Sequence, residues 1–347
     1  MQPSAVTLTI AAVLALLLAA CGNGVVDAGP VSTGDTDSGT DIEPGEAAAP
    51  DEATEPEPDP EPDADPEPDA DAGTDDGTDS ETADDASDDS NAGTTDPVDT
   101  TKVRLYYVAP GGDSRGRPGP FLVSVQREIP STPGIARATL HELIDGPSSS
   151  DAALIDGIAT SVPPDTLVLG INIDDGLATV DLSREFESGG GSFSMFSRLA
   201  QVVYTVTQFP TVDAVEFMLD GRPVTVFSGE GIEFDGPATR EDLVDLLPRV
   251  FVDRPAAGAE VAGGSLRMTG TAAVFEAEFQ YRLETADGEV LAEGFAMTDT
   301  GVGWGAFDAT IEYEIAGSRE ATLTVWEYSA KDGSIQAERV TPLTLRP

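Results

Sequence analysis

Few side chains in this 347-residue chain can carry reactive chemistry, because it contains one cysteine, one histidine and only two lysines. A single cysteine excludes an internal disulfide, so any folded region must be stabilised by its hydrophobic core. One cysteine and one histidine also exclude a zinc site built from the usual nitrogen and sulfur ligands. The 18 basic residues stand against 64 acidic ones. A chain this acidic is not expected to bind nucleic acid or anionic lipid head groups.

Only the start of the chain has an apolar run of targeting length. Residues 5–20 are mostly apolar and end in Leu18-Ala19-Ala20-Cys21, and the run is shorter than the roughly 20 residues of a membrane-spanning helix. This ending resembles the lipobox of bacterial lipoproteins, which are cleaved before the cysteine and acylated on it. The resemblance implies a signal peptide over residues 1–20, lipidation of Cys21 and attachment to the outer side of the bacterial cell membrane. An ordinary signal peptide followed by an unmodified cysteine is the alternative.

Residues 21–101 form an acidic segment that is predicted to be a disordered linker. It contains 27 acidic residues and no lysine or arginine, and residues 56–72 repeat an acidic-proline dipeptide almost without interruption. Such a segment cannot bury enough apolar surface to offset its chain entropy. As a flexible coil its 80 or so residues would span about 50 Å on average. We expect a spacer rather than a calcium site, because the twelve-residue calcium-loop pattern is missing.

Residues 102–247 are predicted to form an α+β domain, with helices packed on a mainly antiparallel sheet. Asp-Gly steps at Asp175 and Asp220 indicate two hairpins, each between apolar segments. Thr132 is predicted to be the N-cap of a helix that Pro133 begins. Phe193, Phe196, Leu199, Val203 and Val206 would form one apolar stripe on a second helix. The predicted strands are 103–108, 121–128, 167–173, 177–182, 212–219 and 223–227, and the predicted helices follow Thr132 and cover 192–208.

Residues 248–347 are predicted to form an all-β sandwich. Short strands recur at sandwich-like spacing, with turns at Asp287-Gly288 and Asp332-Gly333. Trp304, Phe307 and Trp326 are interpreted as packing residues rather than as a platform for carbohydrate. The predicted strands are 266–271, 276–283, 290–295, 305–312, 321–328 and 336–345.

Short motifs in both folded regions carry resemblances to known families. They are Gly146-Pro147, Pro163-Pro164-Asp165-Thr166, Asp175-Gly176, Val180-Asp181-Leu182-Ser183, Gln201 to Thr207, Val215 and Asp220-Gly221 in the first region, and Pro255, Gly270 and Phe275-Glu276-Ala277 in the second. Through these motifs the first region, over residues 103–227, is similar to the GerMN sporulation and germination domain. The second region resembles the immunoglobulin-like domain of bacterial spore germination proteins.

The resemblances imply a non-enzymatic envelope lipoprotein without cofactor or metal. It would act in sporulation, germination or envelope assembly through contacts with wall polymer or envelope proteins. Exposed sheet edges and the loop at residues 188–194 are the expected binding surfaces. A solute-binding lipoprotein is an alternative, but such proteins usually devote about 250 or more residues to two α/β lobes.

A cell-wall hydrolase is the second alternative, because paired carboxylates can cleave glycosidic bonds. The candidates for that role are Asp174, Asp175, Asp181 and Glu185. The only histidine, His141, falls on the polar side of its predicted helix, where we expect it to be solvated. The chain has no Gly-x-Ser-x-Gly nucleophile motif, and its Gly229-Glu230-Gly231 segment lacks the lysine of a phosphate loop.

Overall fold

The computed structural model describes residues 99–111, 119–227 and 231–347. The predicted signal peptide, Cys21 and nearly all of the predicted linker lie outside these described residues. Within the described ranges, no helix is both long and apolar enough to cross a bilayer.

The strands of the first domain form two principal sheets. One is an antiparallel pair, and the other has four strands in the order of the chain. Within the four-stranded sheet, the second and third strands run parallel and the other neighbours run antiparallel. The strands are β1 (Thr100–Ala109), β2 (Phe121–Pro130), β3 (Val168–Asp174), β4 (Gly176–Leu182), β5 (Val212–Leu219) and β6 (Arg222–Val224), and a small separate hairpin of β7 (Val226–Phe227) and β8 (Ile232–Glu233) follows.

Three α-helices accompany these sheets: α1 (Ile135–Asp145), α2 (Ser149–Leu154) and α3 (Ser192–Val206). Because α3 connects β4 to β5, it returns the chain in the direction that makes these two strands parallel. Helix α1 starts after Gly134, without a side-chain cap, so the prediction of Thr132 as its N-cap is wrong. The six-residue helix α2 was not predicted, although Ser148 and Asp151 form a capping box at its start.

The apolar stripe predicted for α3 is wrong at its N-terminal end. Leu199, Val203 and Val206 are buried, but the side chains of Phe193 and Phe196 are 48% and 36% exposed. The buried side of the first turns instead carries Met195 and Arg198. Arg198 donates to backbone carbonyls beneath the helix, and this inward orientation turns the two phenylalanines towards solvent.

The second domain is a β-sandwich, which confirms the predicted all-β class. One sheet has five strands in the order β10-β16-β15-β12-β13, and the other has three in the order β14-β11-β9. Leu266, Phe279 and Leu323 are fully buried in the core between them. The strands are β9 (Val250–Arg254), β10 (Ala259–Ala262), β11 (Ser265–Ala272), β12 (Glu278–Thr285), β13 (Val290–Met297), β14 (Gly305–Glu312), β15 (Arg319–Tyr328) and β16 (Ile335–Arg346).

The linking segment between the domains contains a short 3-10 helix, Glu241–Leu246. The predicted join at residues 247–248 falls between this helix and β9. Phe307 and Trp326 are buried, whereas Trp304 is partly buried and packs against the core of the first domain. The α+β class predicted for the first domain and the sandwich class predicted for the second are both confirmed.

A candidate binding groove between the two domains

The two folded domains contact each other through backbone and apolar groups. The amide of Gln126 on β2 donates to the carbonyl of Ala257 at 2.8 Å, and the amide of Ala257 donates to the carbonyl of Ser124 at 3.0 Å. Phe251 and Ala257, both from the second domain, belong to the buried core of the first. The segment 250–257 therefore completes the first domain while it begins the second.

A cluster of charged and aromatic side chains lies at this contact. Asp253, on β9, accepts a short hydrogen bond from the Tyr106 hydroxyl of β1. Its other carboxylate oxygen lies 3.5 Å from a guanidinium nitrogen of Arg104 and 3.5 Å from one of Arg240. Nε of Arg104 also donates to the Tyr106 hydroxyl at 2.9 Å. A single carboxylate of the second domain is thus bound by three side chains that precede it.

Arg240 holds the cluster against helix α3. Its Nε donates to the Thr207 hydroxyl at 2.7 Å, and one terminal nitrogen donates to the Tyr204 carbonyl at 3.0 Å. Its guanidinium carbon lies 4.6 Å from the centre of the Tyr204 ring, within the range of a cation–π contact. Each of the three guanidinium nitrogens has a partner in the cluster.

Burial, together with Asp253, raises the pKa of Tyr106 to about 12. Burial also raises the pKa of Tyr204 far above its usual range. For Arg240, burial alone would lower the pKa, but Tyr106 and Asp253 favour the charged form and raise it. At neutral pH the tyrosines are therefore neutral and Arg240 is charged.

Beside this cluster, a groove of about 410 Å³ runs between the domains. The rings of Tyr204, Phe251 and Phe307 line it together with Gly270. A Cβ atom on Gly270 would lie 2.0 Å from the Phe251 carbonyl oxygen, so glycine allows β11 and β9 to approach each other here. The groove is largely apolar, and the charged side chains of Arg240, Asp253 and Asp308 also line it.

Of the carboxylates considered for hydrolysis, Asp174 and Asp175 are separated from Asp181 by most of the length of β4. Asp174 and Asp175 lie in the β3–β4 turn, where Asp175 has a φ of 44°. Asp181 lies near the other end of β4, six residues from Asp175, a distance of roughly 20 Å along a strand. Glycosidases need their two carboxyl groups within about 9.5 Å. The Asp181 carboxylate accepts from the Gly221 amide at 3.0 Å, which joins the β5–β6 turn to β4.

Glu185 also lacks the environment of a catalytic acid. A hydrogen bond from Ser183 lowers the pKa of Glu185, whereas a general acid needs a raised pKa. His141 is exposed on α1, as predicted. Within the described ranges, no group of three or more histidine, cysteine, aspartate or glutamate side chains is placed to hold a metal ion.

The expected binding loop, residues 188–194, is tied to α3 by the buried Arg198. This arginine donates to the carbonyls of Ser161, Phe186 and Gly189 at 3.0, 2.6 and 2.6 Å. Burial lowers its pKa. The contact of Arg198 with this loop was not predicted. Arg198 lies within α3, and helical spacing does not show that its side chain turns back towards the loop.

Gln201, part of the motif Gln201 to Thr207, joins three segments of the first domain. Its amide nitrogen donates to the Tyr106 carbonyl at 3.0 Å and to the Thr160 hydroxyl at 3.2 Å, and its oxygen accepts from the Ser161 amide at 2.7 Å. The motif therefore supports the fold around β1. Sequence reasoning also missed Tyr106, Arg240 and Asp253, which are distant along the chain and belong to no motif.

Two family models match the chain. Residues 104–225 match "Germane: Sporulation and spore germination", and residues 249–334 match "Gmad2: Immunoglobulin-like domain of bacterial spore germination". A curated relative, "Spore germination protein GerM" of Bacillus subtilis (strain 168), is 26% identical over 160 residues, which make up 45% of this chain and 40% of that protein. The match thus spans well under half of the relative's length.

Solved structures also resemble the chain. The first GerMN domain of the sporulation protein GerM from Bacillus subtilis is 24% identical, covers 41% of this chain and 100% of its own, and has a TM-score of 0.33. A putative lipoprotein from Clostridium perfringens is 21% identical, covers 44% of this chain and 95% of its own, and has a TM-score of 0.29. Both TM-scores are below 0.5, so the family models carry the identification of the two domains.

Proposed function

We propose that this chain, in which a Germane domain is followed by a Gmad2 domain, is a non-enzymatic lipoprotein of the bacterial cell envelope. It acts in sporulation, germination or envelope assembly by binding wall polymer or other envelope proteins. The observation that carries this proposal is the buried contact of Arg104, Tyr106 and Arg240 with Asp253. In this contact the four side chains bind one another and hold the two domains together. A largely apolar groove lies beside them.

The family matches support the biological setting. Both matched domains belong to families described by sporulation or spore germination. The acidic composition supports a protein partner or wall polymer over nucleic acid. Joining the domains at a shared core lets them present their surfaces together, as a binding protein with two modules requires.

Attachment through Cys21 rests on the lipobox resemblance of residues 18–21. More than one acyl chain on Cys21 would give stable anchoring, at about 0.8 kcal/mol per buried CH2 group. The test is metabolic labelling with a clickable fatty acid, followed by membrane fractionation. Cys21→Ala is expected to lose the label and leave the membrane fraction, whereas the matched variant Ser32→Ala is expected to behave as the natural chain does. Membrane retention of unlabelled Cys21→Ala would contradict lipid anchoring.

Binding is tested against hydrolysis with purified peptidoglycan. The full chain is expected to sediment with peptidoglycan or to cross-link to an envelope protein in the native cell, and to give no clearing in a peptidoglycan gel. Clearing that is lost in Asp174→Asn or Asp181→Asn would establish a carboxylate-dependent hydrolase instead. The separation of Asp174, at the end of β3, from Asp181, near the far end of β4, supports the binding role.

A further inference from the structure

Strand β13 (Val290–Met297) lies at the end of the five-stranded sheet and pairs with β12 alone. In the part of the chain that the structure describes, no strand pairs with its opposite edge. The strand is eight residues long and contains neither proline nor lysine, two residues that commonly protect sheet edges. The register of its pairing with β12 shifts between Ala292 and Val290 and is regular from Ala292 to Met297. This part of the strand therefore presents a regular row of backbone groups to another chain.

The hydrogen-bond pattern shows which residues face this free edge. The Thr298 amide donates to the Ala277 carbonyl at 2.9 Å, so these two residues form a hydrogen-bonded pair next to the ladder. In an antiparallel ladder such pairs alternate with pairs whose backbone groups point outwards. The register of β12 and β13 then directs the backbone groups of Glu293, Phe295 and Met297 away from β12.

The same three residues place an apolar strip beside the edge. The side chains of Phe295 and Met297 are 58% and 57% exposed, although each is large and apolar. Glu293, next along the strand, accepts a hydrogen bond from Arg282 at 2.7 Å. An added strand would thus meet backbone groups, two apolar side chains and one carboxylate.

The charge around β13 indicates which kind of strand could pair with its free edge. From Glu278 to Asp299, the β12–β13 hairpin and its ends carry six acidic residues and one basic residue, Arg282. A second copy of this chain would bring the same negative charge to the edge, and the whole chain has a net charge of −46. Like charges across neighbouring strands are destabilising, whereas opposite charges stabilise the pair. The complementary occupant is an extended segment that carries lysine or arginine.

We propose that β13 is a docking edge, to which a basic, extended segment of a partner protein adds as a sixth strand of the sheet. Apolar side chains of that segment pack beside Phe295 and Met297, and its cationic side chains face the surrounding carboxylates. This inference rests on the proposed function, since it assumes that the protein acts by binding, and it names the surface and the class of partner.

The test uses the full chain and a synthetic peptide of alternating lysine and valine, about ten residues long. Hydrogen exchange is followed residue by residue at about 0.15 M salt, where long-range attraction to the acidic segment is screened. The amides of Glu293, Phe295 and Met297 are expected to exchange about tenfold more slowly with the peptide. A peptide of alternating glutamate and valine is expected to leave their exchange unchanged.

Two matched variants separate edge docking from general attraction. Phe295→Lys places a positive charge on the free edge and is expected to abolish the protection. Val340→Lys makes the same change in charge at a side chain of similar exposure, 56%, on β16, which β15 and β12 separate from β13. It is expected to retain the protection. Phe295→Pro removes an edge-facing amide while keeping its neighbours paired with β12, and it is also expected to prevent docking.

Several results would overturn the proposal. One is that saturating lysine peptide leaves exchange at the three amides unchanged. The others are that Phe295→Lys is protected as strongly as the natural chain, or that the glutamate peptide also protects these amides. Protection that depends on protein concentration without peptide would show that β13 pairs with a second copy. Loss of the peptide effect while Cys21 is still lipidated and the chain still binds peptidoglycan would reject this edge and retain the proposed function.

Discussion

Replacing Asp253 with alanine is expected to lower the free energy of unfolding by about 3 kcal/mol. The carboxylate accepts from Tyr106 and lies 3.5 Å from each of two guanidinium groups, Arg104 and Arg240. Its side chain is only 16% exposed, so removing it leaves two cations and a hydroxyl in a largely dry contact. Breaking a buried ion pair costs about 3–5 kcal/mol. We expect the lower figure, because the side chains of the two arginines remain 11% and 29% exposed.

Urea unfolding followed by tryptophan fluorescence measures this loss. The chain has two tryptophans, and Trp304 packs against the core of the first domain from the second, so it reports on the contact itself. The matched control is Asp308→Ala, because Asp308 borders the same groove but pairs with Arg267 while 54% exposed. An exposed pair contributes at most about 1 kcal/mol. If Asp253→Ala destabilised the protein no more than Asp308→Ala does, the docking role of the cluster would be refuted.

Two further outcomes follow from buried groups of the first domain. Burial raises the pKa of Tyr106 from 10 to about 12. The contribution of Tyr106 to the free energy of unfolding is therefore complete below about pH 10 and is lost as pH rises towards 12. This loss amounts to about 3 kcal/mol. Alkaline unfolding of Tyr106→Phe should therefore show a shallower decline, and an identical decline would contradict the assignment. Arg198→Ala should cost about 3 kcal/mol and speed exchange in residues 184–191, because three carbonyls lose their donor. Arg184→Ala, at a side chain 76% exposed, should destabilise the protein far less than Arg198→Ala does.

Much of the secondary structure could be predicted because its causes are local. The Asp-Gly steps at Asp175 and Asp220 form the predicted hairpin turns, with positive φ at both residues of each pair. Strands rich in β-branched and aromatic residues formed close to their predicted bounds, as β1 and β14 do. Helix α2 was missed because six residues are too few for a periodic pattern, and its capping box is the one signal that would have revealed it.

The errors arose where tertiary contacts overrode a local pattern. Phe193 and Phe196 fit an apolar stripe by spacing, but the inward turn of Arg198 exposes them. Helical spacing states which residues share a face, and it does not state which face the rest of the chain will cover. Of the candidate site, Tyr204 lies in the motif Gln201 to Thr207, but its position in the groove was not predictable from spacing.

Turns and hydrophobic periodicity are set by neighbouring residues, so the two fold classes and the family resemblances were predictable from the sequence. The composition of the chain likewise excluded internal disulfides and a zinc site of nitrogen and sulfur ligands. The folded chain alone reveals that Tyr106 and Asp253, 147 residues apart, meet at the domain contact, and that β13 lies at the edge of its sheet. Both facts depend on which segments pack together in space, because burial and pairing across such separations depend on the whole fold.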